Sequence, residues 1–549
     1  MQIHGRIQRL LRDLLGPEAA PPVVLAVPGY LDRAAEATAP LPDEAALWDE
    51  QVRAAQWAGE RPKRYLTACI AVGTIDQALM GGLRVRHAEL RSGALLRLLL
   101  VVDEVHAADH YMTVLLRHVL DQHLSAGGYA LLMSATLGSA ARDWLLDPAA
   151  PEVMHAAPAE AVAAPYPAVW TTQGNLVAGA DPVQRPQKRV EISLEPNWAD
   201  PTGVMERAVA AARQGARVLV IRNTVGDVVA TQLALEAVAP DLSLAVEGPH
   251  GKVRAPHHGR YAPEDRRRLD AVLEAVLGAK VPRPWVPQTG GSVTIASQTA
   301  EQSLDIDADL LITDLCPADV LLQRLGRLHR RRERVALAGF EGACAIVLAP
   351  SEPELEAAIT GTGEVHHAPL ALGLVYPDLL GVVATRRALA ASPLLSIPAD
   401  NRRLVEGATH PELLDRLAAE LGGRWQKHAE LCTGVRLAHA QQAQGARLAW
   451  GEPIRPDPDR LEDLECIATR LGLTDRTVEL AEGTAGPFGG AISKLTIPGR
   501  WLGGVAQEAE PAIEPAAEGE LQICFEGKTL LYDRLGLRVA QPGNTARAP

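Results

Sequence analysis

Short apolar runs alternate with segments of helical periodicity over the first 355 residues of the chain. In the first part, the strand-like runs are residues 23–27, 69–72, 98–102 and 130–133, and the helix-like segments are residues 2–15, 75–85 and 111–124. In the second part, the strand-like runs are residues 217–221, 293–296, 310–313 and 344–348, and the helix-like segments are residues 225–238 and 264–278. This alternation predicts parallel sheets flanked by helices. The unbroken run at 98–102 predicts a strand that is buried on both faces.

The pattern also divides the chain. We expect a first α/β block over 1–150, a linker or surface excursion rich in Ala, Pro and Gly over 151–186, and a second α/β block over 187–355. Strand signals thin out beyond that point. Residues 356–549 are predicted to form an α+β accessory region, which is helical over 378–445 and closes with a hairpin at 520–539.

Composition limits the classes of function. The 549 residues are too many for one hydrophobic core, so several domains are expected. The net charge of −13 excludes a global basic field, so any nucleic-acid binding must use local patches. The six cysteines are scattered without a CxxC pair, which argues against a zinc site or a disulfide framework. No apolar run approaches the roughly 20 residues of a membrane span and no signal peptide is seen, so we predict a cytoplasmic protein without a membrane partner.

Two carboxylates follow the 98–102 run directly. Asp103 and Glu104 open the sequence DEVH, at the strand end where open α/β sheets place their ligands. One carboxylate can hold Mg²⁺ while the other orients an attacking water, as nucleotide hydrolysis requires. The alternative is a strand exit that happens to be acidic.

A second informative run lies near the end of the second block. Gln323, Arg324, Gly326, Arg327 and Arg330 form the pattern QRxGRxxR. The first two arginines are three residues apart on a predicted helix, so they share a face and can stabilise charge on a phosphoryl group. The alternative is a solvated basic helix or a phosphate-contact face.

Weaker signals follow other predicted strands. Gly73 and Thr74 can offer a backbone N–H and a hydroxyl to a phosphate, and Ser134 and Thr136 lie in a similar position. Ser297, Gln298 and Asp305 supply hydroxyl, amide and carboxylate groups after a strand of the second block. Each signal is weak alone, because glycine-threonine turns and hydroxyl caps are common.

The order of these motifs is what identifies a family. The sequence runs from GT through DEVH and SAT to QRxGRxxR, and it resembles a superfamily 2 DExH helicase, specifically the CRISPR-associated helicase of type I interference systems. The similarity is strong over residues 1–390, and the subtype it favours is G, formerly U. The resemblance implies two tandem RecA-like domains, the first of them incomplete, and an ATP-dependent enzyme that moves along single-stranded DNA in antiviral defence.

The resemblance also implies a role for each candidate residue. Asp103 and Glu104 would handle Mg²⁺ and the hydrolytic water, and His106 would couple hydrolysis to domain movement. The arginines Arg324 and Arg327, next to Gln323, would act on the γ-phosphate of ATP. The residues expected near the nucleotide are Ser134, Thr136, Asp305 and Gly326. The residues expected near the single-stranded DNA are Gly73, Thr74, Asn223, Ser297 and Gln298. The implied partner is the RNA-guided surveillance complex.

Two departures from the family pattern matter. The first is the phosphate loop GxxxxGK[ST], which should precede DEVH; the chain has only Gly527-Lys528-Thr529, with Gln522 where the first glycine belongs. We therefore expect a chain that begins inside the first RecA-like domain, binds ATP poorly, and depends on an upstream chain for this loop. We also expect a first sheet that lacks central strands.

The second departure concerns the metal-dependent nuclease of the family, whose ligands include an adjacent His-Asp pair. No histidine here is followed by aspartate, so we expect DNA cleavage either to come from another chain, a separate HD nuclease, or not to occur. His366, His367, His410 and His428 are interpreted as surface or core histidines. Two alternatives stay open, namely a catalytically inactive nucleic-acid-binding fragment and an RNA helicase of the same superfamily.

Overall fold

Most of the chain is visible in a computed structural model. It describes residues 2–17, 19–27, 62–96, 98–150, 153–173, 176–178, 187–278, 291–301, 304–331, 337–366, 372, 375–450, 475–503, 505, 509–517, 519–525 and 527–540. Contacts divide the chain into two units. The first comprises residues 1–156, 170–175 and 433–471, and the second comprises residues 157–169, 176–432 and 472–549.

The first unit contains short parallel strands and the helices beside them. Its elements are α1 (Gln2–Leu15), β1 (Val23–Ala26), β2 (Ile70–Gly73), α2 (Ile75–Leu79), α3 (Ala88–Leu95), β3 (Leu99–Val102), α4 (His110–Ser125), β4 (Tyr129–Leu132) and α5 (Ser139–Leu146). The side chain of Asp109 caps α4 by accepting a hydrogen bond from the Met112 N–H, 2.8 Å away. Helix α2 is shorter than the predicted 75–85 segment, because Gly81 and Gly82 follow it and do not support a helix.

The strands of this unit form two separate parallel pairs within the described residues. Strand β1 pairs with β2, and β3 pairs with β4. Leu100 and Val102 are buried, but Leu99 is 62% exposed and Val101 is 47% exposed. The prediction that this strand is buried on both faces is therefore wrong. One face packs on α4, and the other presents apolar side chains.

A late part of the chain completes the core of the first unit. Ala443 and Ala446 belong to the same hydrophobic cluster as Leu79, Leu115 and Leu116 of the N-terminal elements. The backbone N–H groups of Leu448 and Arg84 bond to the carbonyls of Gly82 (2.7 Å) and Ala446 (2.9 Å). Residues of the predicted accessory region thus contribute to both units.

The second unit holds the remaining elements. They are α6 (Pro158–Ala163), β5 (Ala168–Trp170), β6 (Leu176–Ala178), β7 (Lys188–Glu195), α7 (Pro201–Arg213), β8 (Arg217–Ile221), α8 (Val225–Val238), β9 (Ala245–Gly248), β10 (Gly251–Arg254), α9 (Pro263–Leu277), β11 (Ser292–Ala296), β12 (Leu310–Asp314), α10 (Ala318–Leu325), β13 (Ala343–Leu348), α11 (Glu352–Ala357), α12 (Leu379–Ala391), β14 (Leu394–Ile397), α13 (Asn401–Thr409), α14 (Pro411–Leu421), α15 (Gly423–Ala446), β15 (Arg476–Glu479), β16 (Lys494–Ile497), β17 (Ala512–Ala517), β18 (Glu520–Phe525), β19 (Lys528–Asp533) and β20 (Gly536–Val539). Helix α15 runs on into residues of the first unit, and Trp170 at the end of β5 also belongs there.

A six-stranded sheet organises the second unit. Its order is β11-β8-β12-β13-β7-β14, and every pair is parallel except β14 with β7. Every residue of β8 and β12 is buried, as expected for central strands with helices on both faces. The α/β class with parallel sheets is confirmed. The sequence signal missed β7 and β14. The stretch 151–186, for which we expected a linker or surface excursion, contains α6, β5 and β6.

The described residues between 475 and 540 build an antiparallel layer. Strands β17 to β20 form a four-stranded sheet, which extends the predicted hairpin at 520–539 by two strands. Tyr532 joins this sheet to α9, because its hydroxyl donates to the buried carboxylate of Asp265 (2.6 Å) and accepts from the Ala262 N–H (3.1 Å). Within the described residues, no helix is both long and apolar enough to cross a membrane.

Candidate nucleotide and nucleic-acid sites

The DEVH turn lies at the carboxyl end of β3, as predicted. Asp103 and Glu104 are exposed, and a short 3-10 helix follows at Val105–Ala107. Glu104 adopts a left-handed backbone conformation with a φ of 52°, which is uncommon for any residue except glycine. The Asp103 carboxylate accepts the Glu104 N–H at 3.0 Å. Both carboxylates are therefore held at the strand end and remain accessible to a ligand.

His106 connects the DEVH turn to the end of the neighbouring strand. Its Nδ1 lies 2.8 Å from the Ser134 hydroxyl, which also accepts the Thr136 N–H at 3.1 Å. Backbone bonds fix this geometry, because Met133 donates to Val102 (2.8 Å) and accepts from Val105 (3.1 Å). The two motifs that follow β3 and β4 thus form one hydrogen-bonded group.

Gly73 and Thr74 end strand β2, and both are exposed. A Cβ on Gly73 would lie only 2.3 Å from the Ala26 carbonyl oxygen, so the close pairing of β1 and β2 requires glycine here. The Thr74 side chain makes no capping bond to α2. The Thr74 hydroxyl is therefore exposed and makes no bond to the helix that follows it.

Arg324 occupies the centre of a buried polar network in the second unit. Its Nε donates to the Glu301 carboxylate at 2.6 Å. One terminal nitrogen donates to the Thr313 hydroxyl (2.7 Å) and the Asp314 carbonyl (3.1 Å), and the other donates to the amide oxygen of Asn223 and the hydroxyl of Tyr376 (3.0 Å each). Because a guanidinium has five N–H donors, all of them are satisfied inside the protein.

This network changes the roles expected for two residues. Arg324 is fully buried and saturated, so the geometry does not support its predicted contact with a γ-phosphate. Asn223 is also buried, and its amide nitrogen donates to the Leu315 carbonyl at 2.9 Å, so a direct contact with a nucleic acid is not supported either. Burial raises the pKa of Glu301, an effect that the charge of Arg324 partly offsets.

The remaining residues of the arginine motif lie closer to the surface. Arg327 is partly buried, and its guanidinium donates to the carbonyls of Leu304 (2.6 Å) and Glu301. Gln323 and Gly326 flank it and are partly exposed. Asp305 is an ion-pair acceptor for Arg330 (3.1 Å) and for Arg331, both of which are exposed. An anion that approaches this helix end would meet Arg330 and Arg331 first.

The loop that carries Ser297 and Gln298 follows β11. Ser297 is buried, and its hydroxyl lies 3.3 Å from that of Thr299. The Gln298 amide donates to the Asn223 carbonyl at 2.7 Å. His257 supports the loop from beneath, because its two ring nitrogens contact the Thr299 hydroxyl (3.0 Å) and the Asp270 carboxylate (2.8 Å).

Sequence reasoning missed Tyr376 and the pair His257–Asp270, and it did not connect the carboxylate of Glu301 with Arg324. They lie in stretches that carry family motifs, but no spacing rule connects them with their partners. Glu301 is 23 residues before Arg324, and Tyr376 is 52 residues after it. Only the folded arrangement of strands brings them together.

Two other candidates are explained by local structure. Gly527 lies in the turn between β18 and β19, and the Lys528 ammonium donates to the carbonyls of Trp501 (2.7 Å) and Gly503 (2.5 Å), so this segment is a hairpin and not a phosphate loop. Asp378, His428 and Cys432 lie close enough together to suggest a metal site. However, the His428 ring contacts the Gly363 carbonyl (2.8 Å) and accepts the Leu379 N–H (3.0 Å), as a core histidine does.

Comparisons with known proteins agree with this geometry. Residues 214–333 match the family described as CRISPR-associated nuclease/helicase Cas3, C-terminal. The chain is 35% identical over 309 residues to the CRISPR-associated endonuclease/helicase Cas3 of Escherichia coli, covering 54% of this chain and 32% of that relative. It is 32% identical over 467 residues to the protein of the same description from Thermus thermophilus, covering 76% of this chain and 47% of that relative. Residues 214–333 therefore belong to the Cas3-like C-terminal family, and the chain as a whole is similar to Cas3 proteins.

Solved structures support the same fold. The crystal structure of T. fusca Cas3 covers 98% of this Cas3-like chain with a TM-score of 0.70 and 23% identity, and 63% of that protein is matched. A structure of T. fusca Cas3 with ATP matches 87% of this chain and 58% of its own, with a TM-score of 0.63 and 24% identity. A CRISPR RNA-guided surveillance complex in a pre-nicking state contains a chain that matches 97% of this one and is itself covered to 67%, with a TM-score of 0.64 and 23% identity. The chain spans about half or less of the length of the two curated relatives from E. coli and Thermus thermophilus.

Proposed function

We propose that this chain is the motor module of type I CRISPR interference, an ATP-dependent translocase and helicase that moves along single-stranded DNA. The observation that carries the proposal is the hydrogen bond between His106 and Ser134, 2.8 Å long. It connects the turn with the two accessible carboxylates to the motif after the next strand, in the order that this family uses. The matches to Cas3 proteins support the same conclusion.

Of the two expected ligands, ATP and Mg²⁺, the residues at the end of β3 fit Mg²⁺. Asp103 is an exposed carboxylate, the kind of ligand that Mg²⁺ prefers, and it would hold that ion. Mg²⁺ would neutralise phosphate charge, and Glu104 would orient the water. Ser134, Thr136, Asp305 and Gly326 stay proposed as residues near the nucleotide. Gly73, Thr74, Ser297 and Gln298 stay proposed near the strand, with Ser297 acting from beneath the surface.

The phosphate contact is better served by the later arginines of the motif, since Arg327 is only partly buried and Arg330 is exposed, than by the fully buried Arg324. We assign the phosphate contact to Arg327 and Arg330, because Arg324 is committed to five internal hydrogen bonds. Gln323 flanks this group. The first RecA-like domain is proposed to cover 1–150 and the second 187–355, with 151–186 between them and 356–549 as the accessory region.

The sequence contains no GxxxxGK[ST] motif, and among the described residues no loop of this kind surrounds a phosphate position. The one Gly-Lys-Thr segment is a hairpin, and its lysine is occupied by two backbone carbonyls. We therefore propose that these residues alone are impaired as an ATPase, and that a further polypeptide segment supplies the phosphate loop. Cleavage of DNA is assigned to a separate HD nuclease, and recruitment to an RNA-guided surveillance complex. A cytoplasmic location stays a prediction.

Calorimetry and an ATPase assay test this proposal together. Titration of the chain with ATP and Mg²⁺ should give a Kd weaker than roughly 1 mM, which corresponds to less than about 4 kcal/mol of binding free energy. At saturating ATP, hydrolysis should be slow, stimulated by single-stranded DNA, and abolished by Glu104→Gln. The variant Glu412→Gln, an exposed carboxylate in α14, is the matched control and should retain the wild-type rate. Micromolar ATP binding would contradict the impairment.

The alternative of an inactive nucleic-acid-binding fragment is favoured by the same missing loop. It predicts that the chain binds single-stranded DNA but hydrolyses no ATP at any concentration. An RNA helicase would bind a single-stranded RNA at least as tightly as the DNA of the same sequence, because it would use the 2′-hydroxyl groups. Parallel titrations with the two oligonucleotides separate these outcomes.

A further inference from the structure

In the second unit Arg260 lies over an indole ring, and a second arginine, Arg500, is near enough to repel its charge. The guanidinium carbon of Arg260 lies 4.6 Å from the ring centroid of Trp501. Arg500 precedes Trp501 in the 3-10 helix Gly499–Trp501 and is exposed. Among the residues that the structure describes, neither guanidinium has a carboxylate within ion-pair distance. This is unusual here, since most arginines of the second unit are paired with an acid.

The environment of Arg260 favours an anion. Its side chain is partly buried, and among the described residues it makes no hydrogen bond to a protein acceptor. Burial, followed by the neighbouring charge of Arg500, lowers the pKa of Arg260 to about 10, so the group still carries its charge at neutral pH. Two like charges held together without an acid are stabilised when a phosphate binds between or beside them.

The backbone around this pair is firmly held. The Arg260 carbonyl accepts the Leu537 N–H at 2.8 Å, and the Gly499 N–H donates to the Asp475 carboxylate at 3.0 Å. Lys528 donates to the Trp501 carbonyl at 2.7 Å. Trp501 itself packs against the core of the antiparallel layer. The backbone that carries both arginines is therefore fixed by the fold, and the Arg260 guanidinium is further held against the Trp501 ring.

The pair is continuous with the loop proposed to contact the strand. Arg260 follows Gly259, where a Cβ would lie 3.9 Å from Thr299 Cγ2. Thr299 is two residues from Ser297, and its hydroxyl donates to the His257 carbonyl at 3.2 Å. A single strand that passes Ser297 and Gln298 would reach Arg260 within a short distance along the same surface.

We propose that Arg260 and Arg500, supported by Trp501, bind the phosphate backbone of single-stranded nucleic acid next to the Ser297 loop. The inference rests on the proposed function, and it extends the strand's path onto the C-terminal antiparallel layer. A stacked arginine that served packing alone would need no second arginine beside it. The contact is to phosphate, so it should be independent of base sequence.

Binding of a fluorescein-labelled thymidine oligonucleotide, measured by anisotropy at several salt concentrations, tests this site. Arg500→Ala should weaken binding and reduce the slope of log K against log salt by about 0.7, and Arg260→Ala with Arg500→Ala should reduce it by about 1.4. The same reductions should appear with an adenosine oligonucleotide. Arg416→Ala is the matched control, because Arg416 is an exposed arginine in α14 that Glu412 neutralises at 3.0 Å; it should leave the slope unchanged.

The outcomes separate the site from the function. If the wild-type chain binds the oligonucleotide and Arg500→Ala has the wild-type slope, the site is wrong and the proposed function stands. If the wild-type chain binds no single-stranded nucleic acid, both are overturned. Because Arg260 is partly buried, the double variant could unfold. In that case the decisive measurements are those on Arg500→Ala, at an exposed site, and on Trp501→Phe, which keeps an aromatic ring beneath Arg260.

Discussion

At the scale of single residues, Arg324 joins segments that are far apart in the chain. Its guanidinium bonds to groups on Asn223, Glu301, Thr313 and Tyr376, and none of these partners is exposed. A buried charge is tolerated only while its partner and its hydrogen bonds remain. Arg324 therefore stabilises the second unit whether or not it has any part in catalysis.

Substitution of this residue should be costly. We expect Arg324→Ala to lower the free energy of unfolding by roughly 3–5 kcal/mol, because it leaves the carboxylate of Glu301 buried without its partner. Arg324→Lys should also destabilise, since an ammonium has three donors in place of five. Urea unfolding followed by circular dichroism measures both. Arg331→Ala, at an exposed site, should stay within about 0.5 kcal/mol of wild type; a similar small loss for Arg324→Ala would refute the structural role.

Part of the site could be predicted from sequence at this scale. A carboxylate pair directly after an apolar run must lie at a strand end, and Asp103 and Glu104 do. The two arginines of QRxGR could not be distinguished, because both share the spacing that predicts a phosphate contact. Which one turns inward depends on Glu301 and Tyr376, whose positions are set by the sheet and not by any local pattern.

At the scale of elements, strands β3 and β4 present an apolar face. Leu99, Val101, Tyr129 and Leu131 are 62%, 47%, 77% and 45% exposed. The sequence could predict the strand but not its exposed face. When every position in a run is apolar, the period of two that reveals a half-buried strand is absent. Apolar faces of this kind promote self-association.

Polar substitution on this face should reduce self-association of the protein. We expect Leu99→Lys combined with Leu131→Lys to change the unfolding free energy by no more than about 0.5 kcal/mol per site, because these side chains lose little packing. Light scattering at rising concentration should show less self-association than wild type. Leu100→Lys on the buried face is the control and should destabilise strongly. Equal destabilisation by the exposed pair would mean that the face is covered.

At the scale of the whole molecule, the antiparallel layer is joined to the rest of the second unit through Asp265 and Tyr532. Burial raises the pKa of Asp265 to about 6. The folded state therefore favours the neutral carboxyl, and this residue's contribution to stability is lost as pH rises through 4 to 6. Burial lowers the pKa of His257 to about 4 and of His258 to about 3, so their contribution is lost in the opposite direction, as pH falls below 6.5.

A comparison of wild type with Asp265→Asn isolates one of these effects. The amide does not titrate, so the unfolding free energy of the variant should rise relative to that of wild type by roughly 2–3 kcal/mol between pH 4 and pH 7. Urea unfolding at pH 4, 5, 6 and 7 measures this difference. Tyr532→Phe, which removes the hydrogen bond to the same carboxylate, should lower stability at every pH. If the difference in unfolding free energy between wild type and Asp265→Asn does not vary with pH, Asp265 is not a titrating group in this range.

The chain leaves the first unit and later returns to it. Ala443 and Ala446 fill the core beneath the DEVH strand, and Leu448 bonds to Gly82. The effect of C-terminal deletions on this protein would consequently be easy to misinterpret. A version ending at residue 432 keeps the motifs of residues 73–330, yet it removes the antiparallel layer and also the residues that fill the core beneath the DEVH strand. The resulting defect would be attributed to the missing C-terminal layer, although part of it would come from a cavity in the core of the first unit.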